Sequence, residues 1–318
     1  MGAPPPVRPP AATHLDPSRE TVKLYAISDL HLANEANRRG LLELEAHPED
    51  WLLLAGDVGE TEAHLHYALS VLAPRFRRLV WVPGNHDLWT LPSDSGALRG
   101  EAKYRRLVAI CRSYGVLTPE DPYAELPDPE GEGPGYLVAP LFLLYDYSFR
   151  PDHVTEEGAV GWAEETGVVC SDEFLLHPAP HPTRAAWCRA RLRATEKRLE
   201  RAAATGRRLV LVNHFPLRQD LLTLRRIPRF SIWCGTTATE DWHRRYRAAA
   251  VVYGHLHVKG THYRDGVRFE EVSLGYPRDW DRSLGVGAYL RQILPAPEAG
   301  GTPGRWATLH AHPSFETP

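Results

Sequence analysis

Lysine is scarce in this chain, at four of 37 basic residues, and the arginine that replaces it, with abundant Ala and Pro, is the composition of a GC-rich bacterial genome. Cysteine is scarce too. The four, at 111, 170, 188 and 234, form no C-x-x-C pair, so neither a disulfide framework nor a thiolate zinc site is expected. No apolar run reaches the length of a membrane span, and the first 20 residues contain no apolar core of a secretion signal. A cytoplasmic protein with reduced thiols is the expectation. Excess positive charge is also missing, since the net charge is −3, and this gives no general attraction to nucleic acid. No internal repeat is visible. What remains is 318 residues with 43% hydrophobic content, enough to bury one large core.

Five short apolar runs stand out, at 23–27, 51–54, 79–82, 209–212 and 250–253. Each leads directly into residues that bind transition metals: Asp29 and His31; Asp57; Asn85, His86 and Asp87; His214; and His255 and His257. Buried strands whose C-terminal ends carry polar residues build a site at one rim of a sheet, where open α/β folds bind ligands. In an extended chain, side chains at i and i+2 share a face, so Asp29 with His31, and His255 with His257, would each grip one region of space. His64 and His66 have the same spacing but lie in a stretch of helical periodicity, 61–72, behind Thr61 as N-cap. They are expected at the surface. A lone strand ending in Asp is ordinarily a turn. Five in this order, D-x-H, G-D, G-N-H-D, N-H and G-H-x-H, are not ordinary.

That set of motifs resembles the calcineurin-like metallophosphoesterase family, and the likeness runs over about residues 21–295. The resemblance implies an α/β sandwich of two mixed β-sheets flanked by helices. It further implies two metal ions, one held by Asp29, His31, Asp57 and His257, the other by Asp57, Asn85, His214 and His255, with Asp57 bridging. Imidazole mixed with carboxylate and amide oxygen suits Mn, Fe or Zn. The expected activity is hydrolysis of a phosphate ester by a water made nucleophilic between the metals. His86 is implied to protonate the leaving alkoxide, oriented by Glu60.

Two departures narrow the substrate. The arginines that clamp phosphate in protein phosphatases of this superfamily are replaced by Glu60-Thr61 and Trp89, which argues against a phosphoprotein and for an apolar wall near the leaving group. The words at 142–149, 172–176, 213–217 and 274–278 resemble an actinobacterial branch of the family that includes phosphopantetheinyl hydrolases. Such a branch implies release of 4′-phosphopantetheine from holo acyl carrier protein, a phosphodiester cleavage. It also implies that Arg218, Arg225 or Arg226, after His214, meets the carrier protein or the phosphate. A nuclease, a cyclic-nucleotide phosphodiesterase or a small-molecule phosphomonoesterase would share the metal ligands.

The organisation expected is a mobile tail over 1–20, the catalytic domain over 21–295 with an insertion at 88–207, and a second mobile tail over 296–318. Within the insertion, helices are predicted over 101–114, closed by Gly115, and over 183–205, closed by Gly206. A strand is predicted over 137–144, leading into an aromatic segment whose Tyr147, with Trp162 and Trp233, is a candidate substrate wall. The arginine-rich face of the second helix is read as solvated. The eleven histidines outside the motifs are placed on surfaces, loops or tails.

Overall fold

Alternate residues along each central strand belong to two different cores, which is why these runs are apolar without a break. Leu24 and Ala26, Leu53 and Ala55, Val80 and Val82 face Val138, Val210, Val212, Ala250 and Val252 in one buried cluster. Ile27, Leu52, Leu54, Leu79, Trp81, Leu209, Leu211, Val251 and Tyr253 belong to the other, which includes the helices. Strands covered on both faces read as continuous hydrophobic runs.

The computed structural model describes residues 22–297 except 94–97, 130 and 132, so the expected tail 1–20, and the expected tail 296–318 from residue 298 on, lie outside it. Ten strands form two sheets: β1 (Leu24–Ile27), β2 (His47–Leu54), β3 (Phe76–Trp81), β4 (Ala124–Leu126), β5 (Tyr136–Pro140), β6 (Arg208–Val212), β7 (Ala248–Tyr253), β8 (Gly260–Arg264), β9 (Val267–Glu271) and β10 (Arg291–Leu294). One sheet has the order β10-β1-β2-β3 and the other β4-β5-β6-β7-β9-β8. Both are mixed, because β10, β4 and β8 run antiparallel to their neighbours while the inner pairs are parallel. The helices are α1 (Glu35–Leu42), α2 (Glu62–Leu72), α3 (Asn85–Leu88), α4 (Gly100–Ser113), α5 (Ala159–Glu164), α6 (Asp172–Leu175), α7 (Arg184–Ala203) and α8 (Trp242–Arg245). None of the described helices is long and apolar enough to cross a membrane.

Register sets the site. Ile27 pairs with Leu54 and Leu54 with Trp81, so the parallel strands β1, β2 and β3 end in one row. Val212 pairs with Val252 in the second sheet. The two sheets join at this rim through Ser28 and Ser273, where the Ser28 N–H donates to Val272 O and the Leu274 N–H donates to Ser28 O.

The helix ends follow the sequence signals. Thr61 caps α2 by accepting the His64 N–H at 3.2 Å, and Thr183 caps α7 by accepting the Ala186 N–H at 3.0 Å, each cap contributing about 1 kcal/mol. Gly115 and Gly206, at φ of 73° and 78°, take the left-handed turn that stops α4 and α7.

Four expectations are corrected. The predicted strand over 137–144 stops at Pro140, because its ladder partner β6 also ends there, opposite Val212. The arginines of α7 are not simply solvated: Arg191 lies over the Phe142 ring and pairs with Glu120, and Arg198 lies over Tyr123 and donates to the carbonyls of Pro119 and Asp121. His243 is buried, bonded to Asp265 at 2.8 Å. His64 and His66 are half-buried rather than free at the surface, His64 Nδ1 accepting the Glu60 N–H and His66 meeting the Tyr114 hydroxyl.

Candidate dinuclear metal centre

Glycine precedes three of the motif residues because no side chain fits there. A Cβ on Gly84 would lie 2.1 Å from Asp57 Oδ1, and one on Gly254 would lie 2.1 Å from Ser28 Oγ and 2.3 Å from Asp29 Oδ2. Beyond the strand ends the chain turns sharply. Asp29, His31, Asp57, His255 and His257 all have left-handed backbones, with φ between 41° and 72°. Non-glycine residues rarely adopt this region, and clustered strain of this kind marks functional sites. The extended alternation expected from the i, i+2 spacing is therefore not the geometry used. Tight left-handed turns bring the pairs to the rim instead.

The side chains converge. Asp29, His31 and His257 place ligand atoms within 4.8 Å of one another, as do His31, Asp57 and His86, and again Asp29, Asp57 and His214. His257 Nε2 lies 3.1 Å from Asp29 Oδ1 and 3.1 Å from His31 Nε2. His214 Nε2 lies 3.1 Å from Asn85 Oδ1 and 3.4 Å from Asp57 Oδ2. His255 Nε2 is buried without a hydrogen-bond partner among the described residues and belongs to a ring in edge contact with His214.

Outer partners decide which atoms face inward. His214 Nδ1 sits 3.0 Å from Ala55 O, which can only accept, so Nδ1 carries hydrogen and Nε2 faces two oxygens, where a proton or a metal ion must lie between. His257 Nδ1 faces Asp279 Oδ2 at 3.2 Å, with the same consequence. Asn85 donates through Nδ2 to Asp172 Oδ1 at 3.0 Å, which turns its carbonyl oxygen to the site. Lone pairs of nitrogen and oxygen pointed at one another across about 3 Å repel unless a cation lies between them, and this arrangement of oriented ligands fits metal ions. Asp87 is buried beneath the site and accepts the backbone N–H groups of Asp57, Gly84 and Gly59, tying the second and third motifs together.

Without metal, charge is carried by protons. Burial works against a charged His257, but Asp29 and Asp279 push it up to about 10. Burial likewise opposes charge on His214, and Asp57 pushes it up to about 9. Burial holds His31 down to about 4, and burial with the neighbouring His214 holds His255 down to about 3. Asp29 and Asp57 are buried, yet the histidines around them hold both below the usual carboxylate range. A metal held by His214 and His257 would have to displace their protons, and its affinity would fall as pH drops.

His86 differs from the buried ligands. Its side chain is 13% exposed, Nε2 is 3.9 Å from Asp57 Oδ2, and Nδ1 is 3.6 Å from Glu60 Oε1. That last distance is an ion-pair approach rather than a hydrogen bond. The Trp89 ring lies against His86 with centroids 3.6 Å apart, and its indole N–H donates to Asp172 Oδ1 at 2.6 Å. Burial disfavours a charged His86, but Asp57, Glu60 and Asp172 raise its pKa above the ordinary value.

The candidates for substrate binding divide. Trp89 is at the centre. Tyr147 is nearly buried, donates to Glu173 Oε1 at 2.9 Å, and stands beside the segment that holds Asp172. Trp233 is wholly buried and donates to the same oxygen at 2.8 Å, while Trp162 lies away under Arg229. Arg218 is not brought to the cluster: its guanidinium engages Asp220 twice, at 2.9 and 3.0 Å, and donates to Glu240 O.

Several residues at the site have no spacing signal. Asp172 meets Asn85 across 87 positions and Asp279 meets His257 across 22, and Tyr276 stacks on His31 at 4.4 Å. Asp172 and Tyr276 lie in the family-like words 172–176 and 274–278, which is the one trace of them in the sequence.

The model of the calcineurin-like phosphoesterase family matches residues 22–259. An [acyl-carrier-protein] phosphodiesterase, PptH, of Mycobacterium tuberculosis is 48% identical over 277 residues, covering 86% of this chain and 84% of that protein. The crystal structure of phosphopantetheinyl hydrolase (PptH) from the same organism superposes with a TM-score of 0.82 at 46% identity, covering 89% of this chain and 99% of that one. With a rim of converging histidines and carboxylates on a two-sheet sandwich, and these likenesses along most of its length, the chain belongs to the calcineurin-like phosphoesterase family.

Proposed function

We propose that this chain cleaves the phosphodiester joining 4′-phosphopantetheine to a serine of holo acyl carrier protein. The observation that supports the reading most directly is the convergence of ligand atoms of Asp29, His31, Asp57, His214 and His257, with Asn85 and His255 beside His214, in a chain closely similar to a carrier-protein phosphodiesterase. Asp29, His31, Asp57 and His257 would hold one ion, and Asp57, Asn85, His214 and His255 the other, the ions being Mn, Fe or Zn. Two such ions acidify a water and neutralise phosphoryl oxygens.

The protein's own groups do the rest. Water oxygen adds to phosphorus and its released proton passes to solvent as the bond to the serine oxygen breaks; that oxygen leaves with the proton from His86 Nε2, which solvent then restores. Asp57 and Glu60 keep His86 protonated for this step, and Trp89 packs its ring face to exclude water. Tyr147 is the candidate for the wall along the pantetheine arm. A cytoplasmic location accords with the carrier-protein substrate.

Glu60 gives a pH test. His86 acts while protonated, and Glu60 raises its pKa, so Glu60→Gln lowers that pKa and moves the alkaline limb of kcat/KM to lower pH. An unmoved limb in a pH–rate profile would show that Glu60 does not act on His86. Asp172 gives a second test. Asp172→Ala frees the Asn85 amide to rotate and is expected to weaken the second metal by about 10- to 100-fold in a metal titration, the usual effect of losing an outer partner.

The substrate is tested by intact mass of holo acyl carrier protein after incubation with the Mn-loaded enzyme, beside a metal-stripped control. Metal-dependent conversion to the apo protein is the expected result. Failure to convert it, with turnover of an aryl phosphodiester, would leave the metal chemistry and remove the substrate.

A further inference from the structure

The two oxygens of Asp29 have different surroundings. Oδ1 faces His257 Nε2 at 3.1 Å and His31 Nε2 at 3.7 Å, toward the proposed first metal. Oδ2 is turned away and accepts the Ser28 hydroxyl at 2.5 Å, the Ser273 hydroxyl at 2.7 Å and the His255 backbone N–H at 3.1 Å. Behind Ser273 stands a second carboxyl group, one that the mechanism does not use. Glu271 Oε1 lies 2.5 Å from Ser273 Oγ, and Glu271 Oε2 accepts the Ser273 N–H at 3.3 Å. Asp29, Glu271 and Ser273 are all fully buried, so bulk water cannot supply a missing hydrogen.

Counting hydrogens settles the direction of this chain of contacts. Ser273 has one hydroxyl hydrogen and two carboxyl oxygens within reach of it. Were that hydrogen given to Glu271, the Ser273 oxygen would face Asp29 Oδ2 with lone pair against lone pair at 2.7 Å, a repulsion that nothing buried there relieves. A second hydrogen is needed between Glu271 and Ser273. Oε2 is occupied by a backbone donor, so the hydrogen sits on Oε1.

We propose that Glu271 is a positioning residue that, as a neutral carboxylic acid, donates to Ser273 and so makes Ser273 donate to Asp29, holding Asp29 as a one-oxygen ligand of the first metal. Burial and the nearby Asp29 charge favour the neutral acid, against the Ser273 hydrogen bond, His257 and Lys259, whose ammonium is donated to Asp279 O. The frame around the relay is rigid. Glu271 ends β9, Ser273 bridges to Ser28 at the seam of the two sheets, and Oδ2 lies where a Cβ on residue 254 would be, a place only glycine leaves open. Sites built on strands hold ligands more closely than sites on loops.

The inference rests on the proposed ligand set, and its test reads metal binding, not substrate turnover alone. Metal-free wild type and variants are titrated with Mn(II) by calorimetry, and kcat and KM are then measured on an aryl phosphodiester. In Glu271→Gln the amide oxygen takes the Ser273 N–H and the amide nitrogen donates to Ser273 Oγ, so affinity and kcat should stay within about threefold of wild type. Ser273→Ala and Glu271→Leu should weaken one of two sites by about 10- to 100-fold, with kcat lowered and KM unchanged. If Glu271→Leu does not fold, Ser273→Ala alone reads the loss. Glu271→Gln binding as poorly as Ser273→Ala would overturn the proposal, because an anion rather than a donor would then be required. Wild-type affinity in Ser273→Ala would overturn it as well. Wild-type protein that takes up no Mn(II) would instead remove the ligand set on which the inference stands.

Discussion

Replacing His86 with Ala is expected to leave two metals bound and to lower kcat by about two to four orders of magnitude on a substrate with an alkoxide leaving group. The geometry makes this a discriminating result. His86 falls within 4.8 Å of ligand atoms on His31 and Asp57, so a ligand role is the competing assignment. Its Nε2 is nevertheless 3.9 Å from Asp57 Oδ2, whereas His214 Nε2 is 3.4 Å from that oxygen, and its ring is open to solvent where His214 is sealed. A ligand lost would show as a missing metal in elemental analysis. A proton donor lost would show as a penalty that depends on the leaving group: large for a serine alkoxide, and small for an activated phenolate, which departs without a proton. Equal losses on both substrates, or one metal in place of two, would remove the general-acid role.

Replacing Asp57 with Asn is expected to weaken metal uptake itself, by more than the 10- to 100-fold typical of an outer partner. Asp57 Oδ2 approaches His214 while Oδ1 accepts the His86 N–H at 2.8 Å, and the side chain stands between the two halves of the cluster. An amide at this position has one oxygen where the carboxylate has two, places N–H hydrogens toward cations, and removes the negative charge that lets two ions approach to about 3.5–4 Å. Titration of the metal-free variant with Mn(II), beside an unfolding curve to confirm the fold, measures the effect. Two metals bound at wild-type affinity would contradict the bridging assignment.

The sequence showed the rim of the fold more fully than its surroundings, and for a physical reason. Strands buried on both faces must be apolar at every position, so β1, β2, β3, β6 and β7 stand out as unbroken runs, and whatever follows each run is at the rim. Asp29, Asp57, Asn85, His214, His255 and His257 are legible on that account. Asp87 is visible in the same word, but its work of accepting three backbone N–H groups has no periodicity to announce it. Asp172 and Asp279 are harder still, because each reaches its partner only through the folded chain. The left-handed turns at Asp29 and His255 defeat an argument from strand alternation: ligand atoms of Asp29 and His31 do lie within 4.8 Å of each other, but by a different backbone. Arg218 was named through the likeness to the family branch, and no spacing in the sequence announces that Asp220, two residues on, engages its guanidinium.

The acid that steadies Asn85 belongs to the long segment between the third and fourth motifs, and the same oxygen of Asp172 also grips the indole beside His86. A segment of this kind is ordinarily the interchangeable part of an enzyme, the piece that varies while the reactive centre is kept. Here the two are one mechanical unit. A chimera that exchanges the segment for that of a relative with another substrate would lose the acceptor that orients both Asn85 and Trp89 unless an acid equivalent to Asp172 came with it.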